Sequence, residues 1–310
     1  MKPVLAFTSG DPGGIGPETI VKAAADRRVS AVCRPLFIGP LAAFQKAGWR
    51  PSLGPVLDTG GAERGPYLHM PASRNGQESF TAVRLAVKLA LAGKIGGVVT
   101  APISKEAWAM AGTGFLGHTE FLRHNCNAPE AVMCFIAGRT RCALVTEHTP
   151  VAKLSSALTR ARVEAACRAF GRELGKLGLR RPRLALCALN PHAGDGGAIG
   201  NEEIKTLLPA VAALNKSGLE ITGPLPADAA WKRHLSGEWD GIVCLYHDQA
   251  LIPLKTAVKN AAAHWTCGLP IVRTSPAHGT AFDIAGRGKA DPASAIEAAL
   301  FATKLAAAGR

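Results

Sequence analysis

The stretch VLAFTSGDPGGIGPETIVKAAA, residues 4–25, decides the fold class. Val4 to Thr8 is a short β-rich apolar run, Ser9 to Gly16 is a turn-rich loop, and Pro17 to Ala25 carries a helical pattern. The chain therefore begins strand, loop, helix. Glycines in that loop permit tight turns and close approach of backbone to a ligand, Pro17 suits a first helical turn, and N–H groups at a helix start favour an anion. The loop carries neither the GK[ST] of a Walker loop nor GxGxxG in its usual sense. By itself it reads equally as a ligand cradle or a structural turn.

The same unit recurs along the chain. Further strands are expected at 35–38, 97–100, 132–136, 141–145, 183–188 and 241–245, and further helices at 79–92, 160–177, 202–215 and 292–308. Repetition of strand, loop and helix means an α/β architecture with a largely parallel sheet. Ligands then belong at the carboxyl ends of the strands, where the outgoing loops converge.

With 310 residues, 47% hydrophobic types, 34 Gly and 21 Pro and no glycine period, the chain is neither disordered nor collagen-like. It is long enough for one large or two medium domains, burying roughly 75% of its unfolded surface. The apolar stretch at the N-terminus is only about five residues, against about twenty for a membrane span. A soluble cytoplasmic protein is expected, without a membrane partner. Eight cysteines (Cys33, Cys126, Cys134, Cys142, Cys167, Cys187, Cys244, Cys267) form no CxxC pair and sit mostly among apolar neighbours. They read as reduced core residues.

Lys and Arg number 36 against 23 Asp and Glu, a net charge of +13. Nine of the cations lie between Lys153 and Arg183 against only Glu164 and Glu173. Behind a Thr159 N-cap, Arg160, Glu164, Arg168, Arg172, Lys176 and Arg180 recur every four residues, opposite Val163, Ala166, Cys167, Phe170, Leu174 and Leu177. This is the solvated face of an amphipathic helix. It has no interleaved aromatics and no surrounding nucleic-acid module, so a nucleic-acid partner is not expected.

The chemistry lies in loops after strands. His148 follows LVTE, His192 lies in NPHAGDGG (190–197), and His247 lies in YHDQ (246–249). Three imidazoles at three strand ends could converge on one divalent cation, although any one of them also reads as a hydrogen-bonded loop histidine. His118 and Thr119 offer a donor pair for a phosphate or carboxylate. The run RTSPAHGTAFDIAGRGKADP, residues 273–292, is dense in small residues with His and Asp. It reads as an unlikely core strand whose N–H groups could line a nucleotide diphosphate.

These motifs carry a resemblance. HGTAFDIAG (278–286) and GDPGGIGPE (10–18) resemble the HGSAPDIAG and GDGIGPE motifs of the isocitrate and isopropylmalate dehydrogenase superfamily. More closely, SGDPGGIGPE, TAPISKEAW, GHTEFL, LNPHAGDGG, GPLPAD, YHDQALIPLK and GLPIVRTSPAHGTAFDIAG, in order from about residue 5 to about residue 300, are similar to the 4-hydroxythreonine-4-phosphate dehydrogenase family of the pyridoxal phosphate pathway. The resemblance implies NAD-dependent oxidation of the 3-hydroxyl of 4-phosphohydroxy-L-threonine. The 2-amino-3-oxo-4-phosphooxybutanoate so formed loses CO2 to give 3-amino-2-oxopropyl phosphate. By motif it makes His148, His192 and His247 ligands of a divalent metal (zinc, magnesium or cobalt). It makes His118, Thr119, Lys255 and Arg273 substrate contacts, and sets the cofactor, NAD or NADP, near His278, Gly279, Thr280, Ala281 and Asp283. It also implies a homodimer with the metal site at the subunit interface.

A cation on the substrate hydroxyl would lower its pKa and stabilise negative charge in both steps, and Arg273 can bind an anion bidentately. The general base is not assigned; Asp248, Asp228 or a metal-bound hydroxide would serve. Two places depart from the family pattern: the loop after His192, AGDGGAIGNEE, differs modestly from the usual GEGG form, and His264 stands where an Asn that contacts substrate is usual. Relatives in the family oxidise 4-phospho-D-threonate, D-erythronate or a cyclic dihydrodiol dicarboxylate, and such a change beside the substrate is where a switch would appear. The expected fold is isopropylmalate dehydrogenase-like, two α/β/α domains with the active-site cleft between them. Residues 1–115 plus 260–310 would form the cofactor side and 116–259 the metal and dimer side. Two other classes, a nucleic-acid-binding protein and a phosphate-transferring acyltransferase, account for the charge or the glycine loops but not for three strand-end histidines.

Overall fold

Val4–Thr8 forms strand β1, and Leu5, Ala6 and Phe7 are sealed from solvent on both faces, as a parallel strand between helical layers requires. The remaining strands are β2 (Arg34–Gly39), β3 (Val56–Asp58), β4 (Gly97–Thr100), β5 (Val132–Ala137), β6 (Thr140–Leu144), β7 (Leu184–Cys187), β8 (Ile221–Leu225), β9 (Gly241–Cys244), β10 (Ala263–Cys267) and β11 (Arg273–Pro276). This computed structural model describes residues 2–60, 69–258 and 262–309. The chain divides into two units, one of Met1–Pro129, Ala263–Trp265 and Leu269–Arg310, the other of Glu130–Ala262 and Thr266–Gly268. The boundary expected at 260 falls on residues outside the described ones.

In the first unit the strand order is β3-β2-β1-β4-β11-β10, parallel except that β10 runs antiparallel to β11. The helix Ser73–Leu91 turns Ala82 and Ala86 onto Ala6, Ile38 and Val98, small residues that let helix and sheet approach closely. The helix Ala293–Ala308 brings Phe301 edge-on to Trp265, with ring centroids 4.9 Å apart. Residues 273–292 correct the sequence reading. Arg273–Pro276 is a fully buried strand beside β4, and only the residues after it form a loop. Polar Arg273, Thr274 and Ser275 masked the strand because their side chains hydrogen-bond inside the core instead of meeting water.

In the second unit the order is β5-β6-β9-β7-β8, with β5 and β6 a hairpin and the rest parallel. The helix Arg160–Lys176 is capped by Thr159, whose hydroxyl accepts from Arg162 N–H. It buries Val163, Ala166, Cys167, Phe170 and Leu174, while Glu164 accepts from Arg160 and Arg168 at 2.7 and 3.3 Å on the outer face. The basic stripe is thus a solvated, internally paired surface. All eight cysteines are buried and free. No helix among the described residues is long and apolar enough to cross a membrane.

Candidate active site

Strands β6, β9 and β7 are successive neighbours and parallel, and His148, His247 and His192 leave their carboxyl ends within a few residues. The second unit therefore gathers the three histidines at one end of its sheet. The rings of His148 and His247 lie 5.7 Å apart. His247 Nδ1 is 2.7 Å from the Asp248 carboxylate, an acceptor that keeps a proton on Nδ1 and turns Nε2 outward as the nitrogen available to a metal. His192 sits exposed on the neighbouring loop, where residues 192–196 all have positive φ. Among the described residues no three His, Cys, Asp or Glu side chains are gathered as a metal cluster. This chain alone brings two of the three expected ligands together.

That loop is tied down by a buried carboxylate. Glu203, 2% exposed, opens a single π-turn at Glu203–Leu207 and accepts three hydrogen bonds of 2.8 Å. The donors are the Leu189 and Asn190 N–H groups and the Asn190 amide. Glu202 accepts from the same amide and from Ser155, which draws its pKa down to about 2.

In the first unit a buried cation occupies the end of the sheet. Arg273, 2% exposed, donates from Nε and Nη2 to Thr100 Oγ1 at 3.1 and 2.8 Å and from Nη1 to His264 Nδ1 at 2.8 Å. Burial brings its pKa down to about 9. His118 opens the helix His118–Asn125, with its ring edge-on to Trp108 at 5.5 Å. Its pKa is driven well below the usual imidazole value, first by burial and second by Arg273. Its Nε2 is buried without a hydrogen-bond partner among the described residues. A neutral imidazole and a desolvated guanidinium thus lie within electrostatic reach of each other. Thr119 follows on the same helical turn and is half-buried.

The glycine loop and the HGTAFDIAG run, some 260 residues apart in sequence, meet in space. Ile15 N–H donates to Thr280 O at 2.9 Å, and a Cβ on Gly14 would lie 2.7 Å from that oxygen, so only glycine permits the approach. Asp11 shapes the turn by accepting from Gly13 N–H at 2.8 Å, and burial raises its pKa to about 6. Ile15, Ala285 and Ala290 close the seam. Lys22 reinforces it by donating to Glu18, Gly288 O and Ala290 O. Beside the seam lies a cavity of about 380 Å³ lined by Pro12, Gly14, Pro17, Lys46, Arg287 and Gly288 among others. His278 directs Nδ1 to Gly279 O at 3.0 Å and keeps a buried Nε2 with no partner among the described residues. Ala281 is left-handed at φ 41°, and Gly279 and Asp283 are exposed. In the second unit Lys255 is exposed in the last turn of the helix His247–Ala257, and Asp228 is exposed on the helix Ala227–Leu235.

The family described as pyridoxal phosphate biosynthetic protein PdxA matches residues 52–302. The chain belongs to that family. It is 42% identical to the 4-hydroxythreonine-4-phosphate dehydrogenase of Caulobacter vibrioides, over 98% of this chain and 97% of that one. The crystal structure of the enzyme of that name from Klebsiella pneumoniae superposes with a TM-score of 0.89 at 33% identity, covering 99% and 98% of the two chains. A terephthalate 1,2-cis-dihydrodiol dehydrogenase from Burkholderia xenovorans LB400 is similar at a TM-score of 0.69 and 29% identity, covering 98% of each chain. PdxA membership makes this α/β chain a protein of pyridoxal phosphate biosynthesis and accords with a dehydrogenase.

Several supporting residues of this PdxA chain escape a linear reading. Glu203 and Glu202 carry no motif and act only because Asn190 folds back onto them. Thr100 looks like the end of a strand until Arg273 is placed beside it. For Glu18 and Lys22, their i, i+4 spacing shows the pair but not its grip on residues 288–290.

Proposed function

We propose that the chain oxidises the 3-hydroxyl of 4-phosphohydroxy-L-threonine with NAD and divalent-metal assistance, and that the resulting 2-amino-3-oxo acid loses CO2. The observation that carries the reading is the buried Arg273, its guanidinium held by Thr100 and His264 and within electrostatic reach of a neutral His118, a cation placed for a phosphate or carboxylate.

The donor sets suit the implied groups. His148 and His247 present imidazole rings side by side, one with its Nδ1 held by Asp248, which is the pattern of metal-ligating histidine. With His192 they would hold the metal, the set being completed between two copies of the chain. The Nε2 of His278, buried with no hydrogen-bond partner among the described residues, suits a nucleotide held by His278, Gly279, Thr280, Ala281 and Asp283. When bound, the metal supplies Lewis acidity at the substrate hydroxyl and the nicotinamide accepts the hydride.

The chain's own residues supply the rest. Arg273, locked by Thr100 and His264, binds one anionic end of the substrate, while His118 and Thr119 offer neutral hydrogen-bonding groups to it. Lys255 is an exposed cation and a further candidate for an anionic group of the substrate. Asp248 is occupied in orienting His247, which favours another base. The buried free thiols support a reducing, cytoplasmic setting.

The test is a panel of 4-phosphohydroxy-L-threonine, 4-phospho-D-threonate and 4-phospho-D-erythronate with purified protein, NAD or NADP, and added metal. NADH formation with the first, abolished by chelator and by His192→Ala, is the expected result. Indifference to both treatments would reject the metal-assisted dehydrogenase. Preference for a D-acid would keep the chemistry and replace the substrate, the outcome that the His264 departure favours as an alternative.

A further inference from the structure

The histidine at 264 has a structural setting that the sequence does not offer. His264 lies on β10 directly opposite Ser275 on β11, and Arg273 lies two residues before Ser275 on the same face of the strand. The imidazole is thereby set diagonally across the strand pair from the guanidinium. Its Nδ1 is 2.8 Å from Arg273 Nη1 and 3.2 Å from the Ser275 hydroxyl.

A guanidinium nitrogen can only donate. The ring nitrogen it meets must therefore be a lone pair, so His264 is neutral with its proton on Nε2. Protonation at Nδ1 would press an N–H against an N–H at 2.8 Å. On its other edge the guanidinium is held by Thr100 Oγ1 through Nε and Nη2. A planar fork held along both edges is fixed in orientation before any anion arrives. His Nδ1 and Asn Oδ1 occupy the same place in their side chains, two bonds beyond Cβ. An imidazole can therefore give Arg273 the acceptor that a carboxamide oxygen would give from this position.

We propose that His264 is a positioning residue, a neutral Nδ1 acceptor that orients Arg273 for anion binding and stands in for the carboxamide oxygen of an Asn. The inference deepens the function proposed above and shares its assumption that Arg273 meets the anionic end of the substrate. The near-complete burial of both side chains supports it, because a desolvated guanidinium gains most from an acceptor already in place.

The decisive experiment uses the full chain labelled with nitrogen-15 at histidine, with His264 assigned by comparison with His264→Asn, and inorganic phosphate as the probe. Across about pH 6 to 8, His264 Nδ1 is expected to show the shift of an unprotonated, hydrogen-bonded nitrogen and to respond to added phosphate. His264→Leu, which removes the acceptor at similar volume, should weaken phosphate binding at least about tenfold and raise KM with kcat little changed. His264→Asn should recover most of that loss, whereas His264→Gln, whose oxygen sits one bond further out, should not.

A protonated Nδ1 in the free protein, or a Leu variant that binds phosphate like the parent, overturns the proposal. So does an Asn variant no better than Leu. The nitrogen shift is read on the unsubstituted protein, so a Leu variant that fails to fold leaves the test standing. Should phosphate bind as expected while no phosphorylated hydroxy acid is oxidised, the enzymatic reading fails and the role of His264 holds. Oxidation of such an acid without any phosphate response at His264 has the reverse meaning.

Discussion

Replacing Glu203 tests how the loop bearing His192 is held. In Glu203→Ala three hydrogen bonds of 2.8 Å are lost, and the Leu189 and Asn190 N–H groups together with the Asn190 amide lose a carboxylate acceptor. Hydrogen bonds to charged groups contribute about 1.5–3 kcal/mol each. Leu189 and Asn190 are only part-buried, so water recovers some of this, and about 3–4 kcal/mol of local stability is the expected loss. In Glu203→Gln the amide oxygen can keep both backbone donors, but its NH2 then faces Asn190 Nδ2. Turning the Asn190 amide over would forfeit its 2.8 Å bond to Glu202, so this variant should lose about 1–2 kcal/mol. A chain with two units need not unfold in one step, so the appropriate measurement is native-state hydrogen exchange at Leu189 and Asn190. Exchange should quicken by about two to three orders of magnitude in the Ala variant and about tenfold in the Gln variant. Calorimetric affinity for zinc or cobalt should fall about 10- to 100-fold in the Ala variant, as for other supports of metal ligands. Exchange at both amides within threefold of the parent, together with unchanged metal affinity, would refute the idea that Glu203 holds this loop.

Two further outcomes follow from the buried ionisable groups. Asp11 binds its proton more tightly folded than unfolded, its pKa being raised from 3.8 to about 6, so its contribution to stability falls as pH rises through that window. Asp11→Asn should remove that slope, gaining on the order of 2–3 kcal/mol relative to the parent between about pH 4 and pH 7. Parallel denaturation curves for both proteins across that range would count against a buried, unshielded Asp11. Arg273→Ala should raise KM for a phosphorylated substrate severely, and an unchanged KM would remove the anion-binding role.

Much of the fold was legible in advance. Leu5 to Phe7, Val98 to Val99 and Ile242 to Val243 are uninterrupted apolar runs bounded by turn residues, and such runs cannot satisfy both their backbone and their side chains except as buried strands. The helix Arg160–Lys176 announced its cap and both its faces. β11 was not legible, because Arg273, Thr274 and Ser275 are polar by type and become core residues only through partners on β4, β10 and the C-terminal helix. The three histidines were visible as strand-end residues. That β6, β9 and β7 are adjacent is a matter of chain topology, which periodicity does not encode.

The same division holds for the chemistry. By itself the sequence determined the residue types and their order: glycine loops, strand-end histidines, an arginine and the HGTAFDIAG run, enough to identify a family because motifs are local. Only the tertiary structure decided what each group can do. Burial made Arg273 a desolvated cation and His118 a neutral imidazole, and Asp248 chose the tautomer of His247. A contact across two strands turned His264 from an anomaly into an acceptor. Protonation state, tautomer and orientation are set by neighbours in space, and those neighbours stand nine residues away for Arg273 and His264, and more than 150 for Arg273 and Thr100.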